Sequence, residues 1–265
     1  MTLPIYQVDA FTKNLFGGNP AAVCPITDWP TDEILMNIAR ENNLAETAYF
    51  KPLNNDHYHL RWFTPEIEMD LCGHATLATA YVIFEEFGHS SDTITFDTLS
   101  GLLTVRKVED YYELDFPSRP PLSATLPKTI LDGLNINPTE VWKARDYLLI
   151  YDTEEDIRSI TPNIAILNQI NIDPGGIIVT AKSDSPDVDF VSRFFTPQAS
   201  IFEDPVTGSA HCTLVPFWAQ RLNKQEFKVQ QLSPRGGELY CQLNRDRVLI
   251  RGHAVKYMEG TIEIA

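Results

Sequence analysis

No apolar run in the 265-residue sequence reaches the length needed to span a bilayer, and the opening MTLPIYQVDA has neither a basic segment nor an apolar core of the export-signal type. Positive charge is scarce: 21 Lys and Arg stand against 36 Asp and Glu, for a formal net charge of −15. A field of that sign repels nucleic acid and anionic membrane surfaces, so neither is an expected partner. Cysteine is sparse too. The four residues Cys24, Cys72, Cys212 and Cys241 include no CxxC pair, which argues against structural zinc and against a disulfide framework. There is no low-complexity tract or polar linker. These absences leave a cytoplasmic protein with 43% apolar residues, enough to bury one large core or two smaller ones.

The chain carries an internal duplication. Arg61 opens RWFTPEIEMDLCGHATLATAYVIF, and Arg193 opens RFFTPQASIFEDPVTGSAHCTLVPFW. Each copy starts R-(W/F)-F-T-P and reaches G-x-A at the head of an apolar helical pattern. The interval is 12 residues from Arg61 to Gly73 and 15 from Arg193 to Gly208. Upstream, Thr31 to Asn43 (TDEILMNIARENN) reads as a helix with acids in its first turn behind Pro30. Thr153 to Gln169 is its counterpart, interrupted at Pro162. Strands follow at Leu44 to Phe50 and at Ile177 to Ala181. Leu102 to Phe116 reads as a hairpin, and the prolines of Pro117 to Pro127 mark a crossing between domains. Past the second helix, short strands are expected with breaks at Gly236-Gly237, Gly252 and Gly260. Two similar halves predict two pseudo-symmetric α/β domains: residues 1–118, completed by a C-terminal strand at 255–265, and residues 119–254. A cleft between domains is a common place for a small ligand.

Helix starts carry unpaired N–H groups and about half a positive charge. Small residues there let an anion come close to the backbone. Gly73-His74-Ala75 and Gly208-Ser209-Ala210 both meet this requirement, and two such starts could hold a carboxylate in an acidic protein. The plainer reading is that Gly and Ala only permit close packing; the duplication favours the first. Glu46, in NLAETAYF, shares a strand face with Leu44, Ala48 and Phe50. Desolvation on such a face favours a protonated carboxyl, a form suited to proton transfer. The competing reading is an edge-strand glutamate bonded to backbone. Cys72 precedes the first glycine, where a thiol can act as base or nucleophile or simply fill space. The second copy has Thr207 there, so no matched thiol pair exists. His74 is either a ligand-facing or a structural imidazole. Asp204 either accepts from a substrate amine or hydroxyl or caps a turn. Asp9 and Asn19 accompany turn chemistry at Gly17-Gly18-Asn19-Pro20, and Arg235 is a candidate carboxylate partner.

Taken together, DAFTKNLFGGNPAAV, NNLAETAYF, RWFTPEIEMDLCGHATLATA, EDPVTGSA and RGHAV resemble the PhzF family of phenazine biosynthesis-like isomerases, which are related in fold to diaminopimelate epimerase. The resemblance spans nearly the whole chain. It implies an α/β (α+β) protein of two domains, each a mixed sheet or barrel wrapped around a central helix. It further implies that Glu46 moves a proton on a small cyclic carboxylic acid, that His74, Asp204 and Ser209 bind the substrate, and that no cofactor or metal takes part. The phenazine enzyme has a non-thiol residue where this chain has Cys72, whereas the related epimerases have cysteine there. The second epimerase cysteine is Thr207 here. The functional expectation is a cofactor-independent isomerase acting on a small cyclic or amino carboxylate. Alternatives are an epimerase using Cys72 with Glu46, and a metabolite-binding protein without turnover. A homodimer is expected only from the general frequency of two-fold assemblies.

Overall fold

The computed structural model describes residues 2–172 and 175–264. The chain divides into two compact units, Met1–Asp115 with Arg251–Ala265, and Phe116–Ile250. Along the first run β1 (Thr2–Ala10), β2 (Asn19–Pro25), α1 (Asp32–Asn42), β3 (Glu46–Asn54), β4 (His57–Phe63), β5 (Glu68–Met69), α2 (Gly73–Tyr81), β6 (Thr93–Thr98), β7 (Gly101–Val108) and β8 (Tyr111–Pro117). A wide helical turn, Val82–Glu86, extends α2. Then come β9 (Leu122–Ser123), α3 (Lys128–Gly133), β10 (Glu140–Lys143), β11 (Tyr147–Ile150), α4 (Glu154–Ser159), α5 (Ile164–Leu167), β12 (Ile177–Lys182), β13 (Phe190–Phe195), α6 (Gly208–Leu222), β14 (Glu226–Gln231), β15 (Gly237–Asn244), β16 (Arg247–Gly252) and β17 (Ala254–Glu263).

The duplication seen in the sequence is a duplication of topology. In the first unit β2 runs parallel to β3, β3 antiparallel to β4, β4 parallel to β6, and β6 antiparallel to β7. In the second, β11, β12, β13, β14 and β15 repeat that series of senses. Each parallel pair needs a crossover longer than a hairpin. The first crossover carries α1 in one unit and the α4–α5 pair in the other; the second carries α2 and α6. The terminal strand β17 pairs with β1 from Thr2↔Glu263 to Ala10↔Ala254, which ties the C-terminus to the first unit. Gly260 does not break that strand as expected: it sits within β17 opposite Ile5.

Local chemistry accounts for these elements. Thr31 caps α1 by accepting from the Ile34 N–H, Asp32 and Glu33 sit in its positive first turn, and Asn43 ends it in the left-handed region at φ 49°. Its inner face buries Leu35 and Ala39, one turn apart, against Tyr49, Phe63 and Cys24. In the second unit a capping box between Thr153 and Asp156 starts α4, and Asn163 starts α5 after Pro162, so the expected interruption is two short helices. They pack on Ile177, Val179, Val191 and Phe195.

Both central helices are buried on all sides along most of their length. In α2 every residue from Gly73 to Ala80 is buried, and it packs on β1, β2, β3 and β17. In α6 Gly208, the run Ala210–Val215, Phe217 and Trp218 are buried. A helix of this kind must be enclosed by its own domain. Among the described residues no helix is long and apolar enough to cross a membrane.

Candidate active site

The repeated arginine prepares the start of each central helix. Arg61 forms a two-pronged pair with Glu68 at 2.6 and 2.7 Å and lies 5.0 Å from the centre of the Phe63 ring. Arg193 pairs likewise with Glu203 at 2.7 and 2.9 Å, 5.0 Å from the Phe195 ring. The following threonines close matching loops, Thr64 N to Ile67 O and Thr196 N to Phe202 O. Bidentate guanidinium–carboxylate pairing fixes geometry as well as contributing energy. The R-x-F-T-P repeat is therefore scaffolding for the loops that deliver Cys72 and Asp204–Thr207.

In the first unit four predicted residues come together. Glu46 begins β3 opposite Ala21 of β2, and its side chain is 13% exposed. His74, on the first turn of α2, is 4% exposed and places Nε2 at 3.1 Å from Glu46 Oε2. On the other side of the ring, Nδ1 meets Asn19 Nδ2 at 3.0 Å and Cys72 Sγ at 3.6 Å. The Nε2–Oε2 approach is close but not aligned as a hydrogen bond, and both atoms are buried without another hydrogen-bond partner.

Burial opposes charge on His74, but the Cys72 charge, then the Glu46 charge, and the Cys72 contact outweigh it and lift the imidazole well above its ordinary value. Burial, followed by the Glu46 charge, pushes the Cys72 thiol up to about 11. The thiol is therefore protonated at neutral pH. Cys72 Sγ receives the Ala75 N–H, and α2 winds regularly from Thr76 N to Cys72 O at 3.3 Å. Asp9 is buried in β1 and accepts from Phe16 N at 3.0 Å, a role in the turn that leads to Asn19.

In the second unit Thr207 is the N-terminal flanking residue of α6 and makes no side-chain cap bond. Its hydroxyl turns back to Asp204 Oδ2 at 2.5 Å. Gln231 of β14 holds this loop from below: its Oε1 accepts from Thr207 N at 2.9 Å, and its Nε2 donates to Asp204 O at 2.8 Å. Ser209 Oγ accepts from Arg145 Nη2 at 3.0 Å. Arg145 is oriented by Asp146, whose fully buried carboxylate also accepts from Gly176 N at 2.8 Å. A hydroxyl that accepts from a guanidinium keeps its own proton to donate elsewhere. Arg235 lies in the β14–β15 turn, where Ser233 Oγ donates to Pro205 O at 2.8 Å. Gly208 and Ala210 flank Ser209 in the buried first turn.

Nothing in the local sequence singles out Arg145, Asp146 or the function of Gln231. Arg145 precedes a strand by two residues and looks like any turn arginine; only the fold carries it to Ser209. His211 likewise carries no local signal. It is fully buried, donates from Nδ1 to Thr207 O at 2.9 Å and stacks on Phe190. Burial lowers its pKa to about 4.

A duplicated sheet, each half closed on a central helix, defines a class of fold, the epimerase-like fold. A hydroxyproline epimerase from Agrobacterium vitis, solved with bound trans-4-OH-L-proline, has this fold at TM-score 0.63 and 10% identity, over 98% of this chain and 92% of that one. Residues 8–260 match the family described as phenazine biosynthesis-like protein, PhzC-PhzF, and the chain belongs to that family. An uncharacterized isomerase of Halalkalibacterium halodurans is 48% identical over 265 residues, covering 99% of each chain. A PhzF-family crystal structure from Enterococcus faecalis superposes with TM-score 0.94 at 44% identity, over 100% of both chains. The protein is an isomerase-type enzyme with a two-domain epimerase-like fold.

Proposed function

We propose that the protein is a cofactor-independent isomerase that shifts a proton on a small cyclic or amino carboxylic acid, with Glu46 as the acid–base group. The observation that carries this reading is the largely desolvated Glu46 carboxylate set 3.1 Å from His74 at the start of the central helix. The Glu46 carboxylate takes a proton from a carbon made acidic by the substrate's carboxyl group, and the resulting carboxylic acid returns it to another carbon. Positioned acid–base groups of this kind are worth about 10² to 10⁴ in rate. His74, 3.1 Å from Glu46, sets its imidazole beside the transferred proton.

In this reading the carboxylate donors are amides at the start of α2, those of Gly73 and His74 with that of Ala75 engaged by Cys72 Sγ, and, in the second unit, those at the start of α6 (Gly208, Ser209, Ala210). Arg145 leaves the Ser209 hydroxyl proton to meet a substrate carboxylate at the start of α6, and Asp204, anchored by Thr207, accepts from a substrate amine or hydroxyl. The test is a panel of small cyclic and amino carboxylic acids incubated in heavy water, with proton exchange followed by NMR. Exchange by the wild type that is lost in Glu46→Gln supports the assignment; equal exchange by both refutes it.

A second reading gives Cys72 a share of the proton transfer, because its sulfur lies 3.6 Å from His74 Nδ1. A thiol whose pKa is pushed up to about 11 is a poor resting base but a competent proton donor. Undiminished exchange after complete alkylation of Cys72 eliminates this reading.

A further inference from the structure

We infer that Gln231 is a positioning residue of the second unit: its buried carboxamide sets the Asp204–Thr207 loop, and with it the Asp204 carboxylate, in place to accept from a substrate amine or hydroxyl. The substrate half of this inference rests on the proposed role of Asp204; the loop-setting half does not.

Gln231 ends β14, whose alternating pattern buries Phe227, Val229 and Gln231 on one face. Phe and Val are what such a face selects. Gln231 is a carboxamide only 1% exposed, and burying it costs free energy unless its polar atoms are bonded. Each of them is. Oε1 accepts from Thr207 N at 2.9 Å, and Nε2 donates to Asp204 O at 2.8 Å and to Thr207 Oγ1 at 3.3 Å. Turned over, the amide would set N–H against N–H and oxygen against oxygen, so these partners fix its orientation. The position requires one acceptor and two donors at this reach. Glutamate and leucine lack the donors, and asparagine is a methylene too short.

The bonds continue to the carboxylate. Thr207 Oγ1 accepts from Gln231, so its own proton goes to Asp204 Oδ2 at 2.5 Å. Other groups of the loop are tied as well: Asp204 N donates to Phe194 O at 3.1 Å, Ser233 Oγ to Pro205 O at 2.8 Å, and His211 Nδ1 to Thr207 O at 2.9 Å. Pro205 adds a fixed φ. Of these anchors Gln231 is the one that holds both ends of the loop. A loop ordered before the ligand arrives spares binding the cost of ordering it.

The substitution Gln231→Glu isolates this role. A protonated carboxyl has one donor and one acceptor, enough to restore the bonds to Thr207 N and Asp204 O. The ionised form has no donor and sets an oxygen against the Asp204 carbonyl. The other ionisable group bonded to the loop is His211, lowered to about 4 by burial and therefore largely neutral from about pH 5 upward.

The experiment uses the full-length protein and two readouts. The first needs no substrate: hydrogen exchange of the Thr207 amide, followed by NMR and referred to the amides of β12. Exchange is slow in the wild type and in Gln231→Glu, and faster by about tenfold or more in Gln231→Leu. Equal protection in all three overturns the loop-setting half. The second readout is proton exchange at about pH 5 and pH 8 for an acid of the panel that carries an amine or hydroxyl, and for its analogue with hydrogen there. Relative to wild type at the same pH, Gln231→Leu raises KM for the first acid by about tenfold or more, with kcat within about threefold, and leaves the analogue's KM in place. Gln231→Glu matches the wild type at the lower pH and shows the raised KM at the higher, which keeps the inference falsifiable if Gln231→Leu does not fold. Lowered thermal stability with KM unmoved at both pH values means that Gln231 only pairs interior groups, and it overturns the substrate half. A wild type that exchanges no acid sinks the proposed function and the substrate half with it, while the Thr207 amide still decides the loop-setting half.

Discussion

Acid should destabilise the second unit through one residue, His211. Its imidazole is fully buried, stacked on Phe190 and bonded through Nδ1 to the carbonyl of Thr207 at the head of α6. Burial takes its pKa from 6.5 to about 4. The depression is 6.5 − 4, or about 2.5 units, and at ~1.36 kcal/mol per unit this corresponds to about 3 kcal/mol. Between pH 6.5 and 4 the unfolded chain binds a proton that the folded chain refuses, so stability rises with pH in that window. The contribution is intact above pH 6.5 and is lost progressively as pH falls toward 4. Urea unfolding at pH 7 and pH 4, on wild type and His211→Asn, separates this group from the other acid-sensitive residues common to both. The variant is less stable at pH 7, because a buried contact and a hydrogen bond are gone, and its stability curve converges on that of the wild type as pH falls. Parallel loss of stability in the two proteins would refute the reasoning.

Other consequences follow from the same geometry. Glu46→Gln removes one of the two charges, after that of Cys72, that raise the His74 pKa, so the His74 titration followed by NMR should move to lower pH; an unmoved titration means Glu46 does not contribute. Arg145→Met leaves the fully buried Asp146 carboxylate without its cation and should cost about 1–3 kcal/mol in unfolding free energy, whereas unchanged thermal stability would show the pair to be incidental. Gly18 has φ +62°, and a Cβ there would lie 2.1 Å from the Ala10 carbonyl oxygen. Gly18→Ala should therefore lower the urea midpoint by an amount equivalent to about 1–3 kcal/mol, and an unaltered midpoint contradicts that strain.

Much of the fold was legible because the duplication is written in short-range chemistry. Thr31, Asp32 and Asn43 mark both ends of α1, and Pro162 marks the break between α4 and α5. The R-x-F-T-P copies are recognisable because each arginine has a geometric duty toward a glutamate seven or ten residues on. Glu46, Cys72 and His74 could be suspected because each is an ionisable group in an otherwise apolar setting. Gly260 misled because glycine breaks strands on average, yet in β17 it pairs in register with β1. Arg145 and Gln231 were not legible for a different reason. Arg145 reaches Ser209 across 64 residues and Gln231 reaches Thr207 across 24. Nothing in their local sequence sets them apart from solvated side chains, since their work is defined only by the parallel strands that bring them to α6.

The most direct measurement of the central claim is solvent deuterium incorporation into a carboxylic acid turned over by the wild-type enzyme, repeated with Glu46→Gln under saturating ligand. The account predicts that incorporation falls by about 10² or more while the ligand continues to bind with essentially the same affinity. Incorporation at the wild-type rate in Glu46→Gln would contradict it.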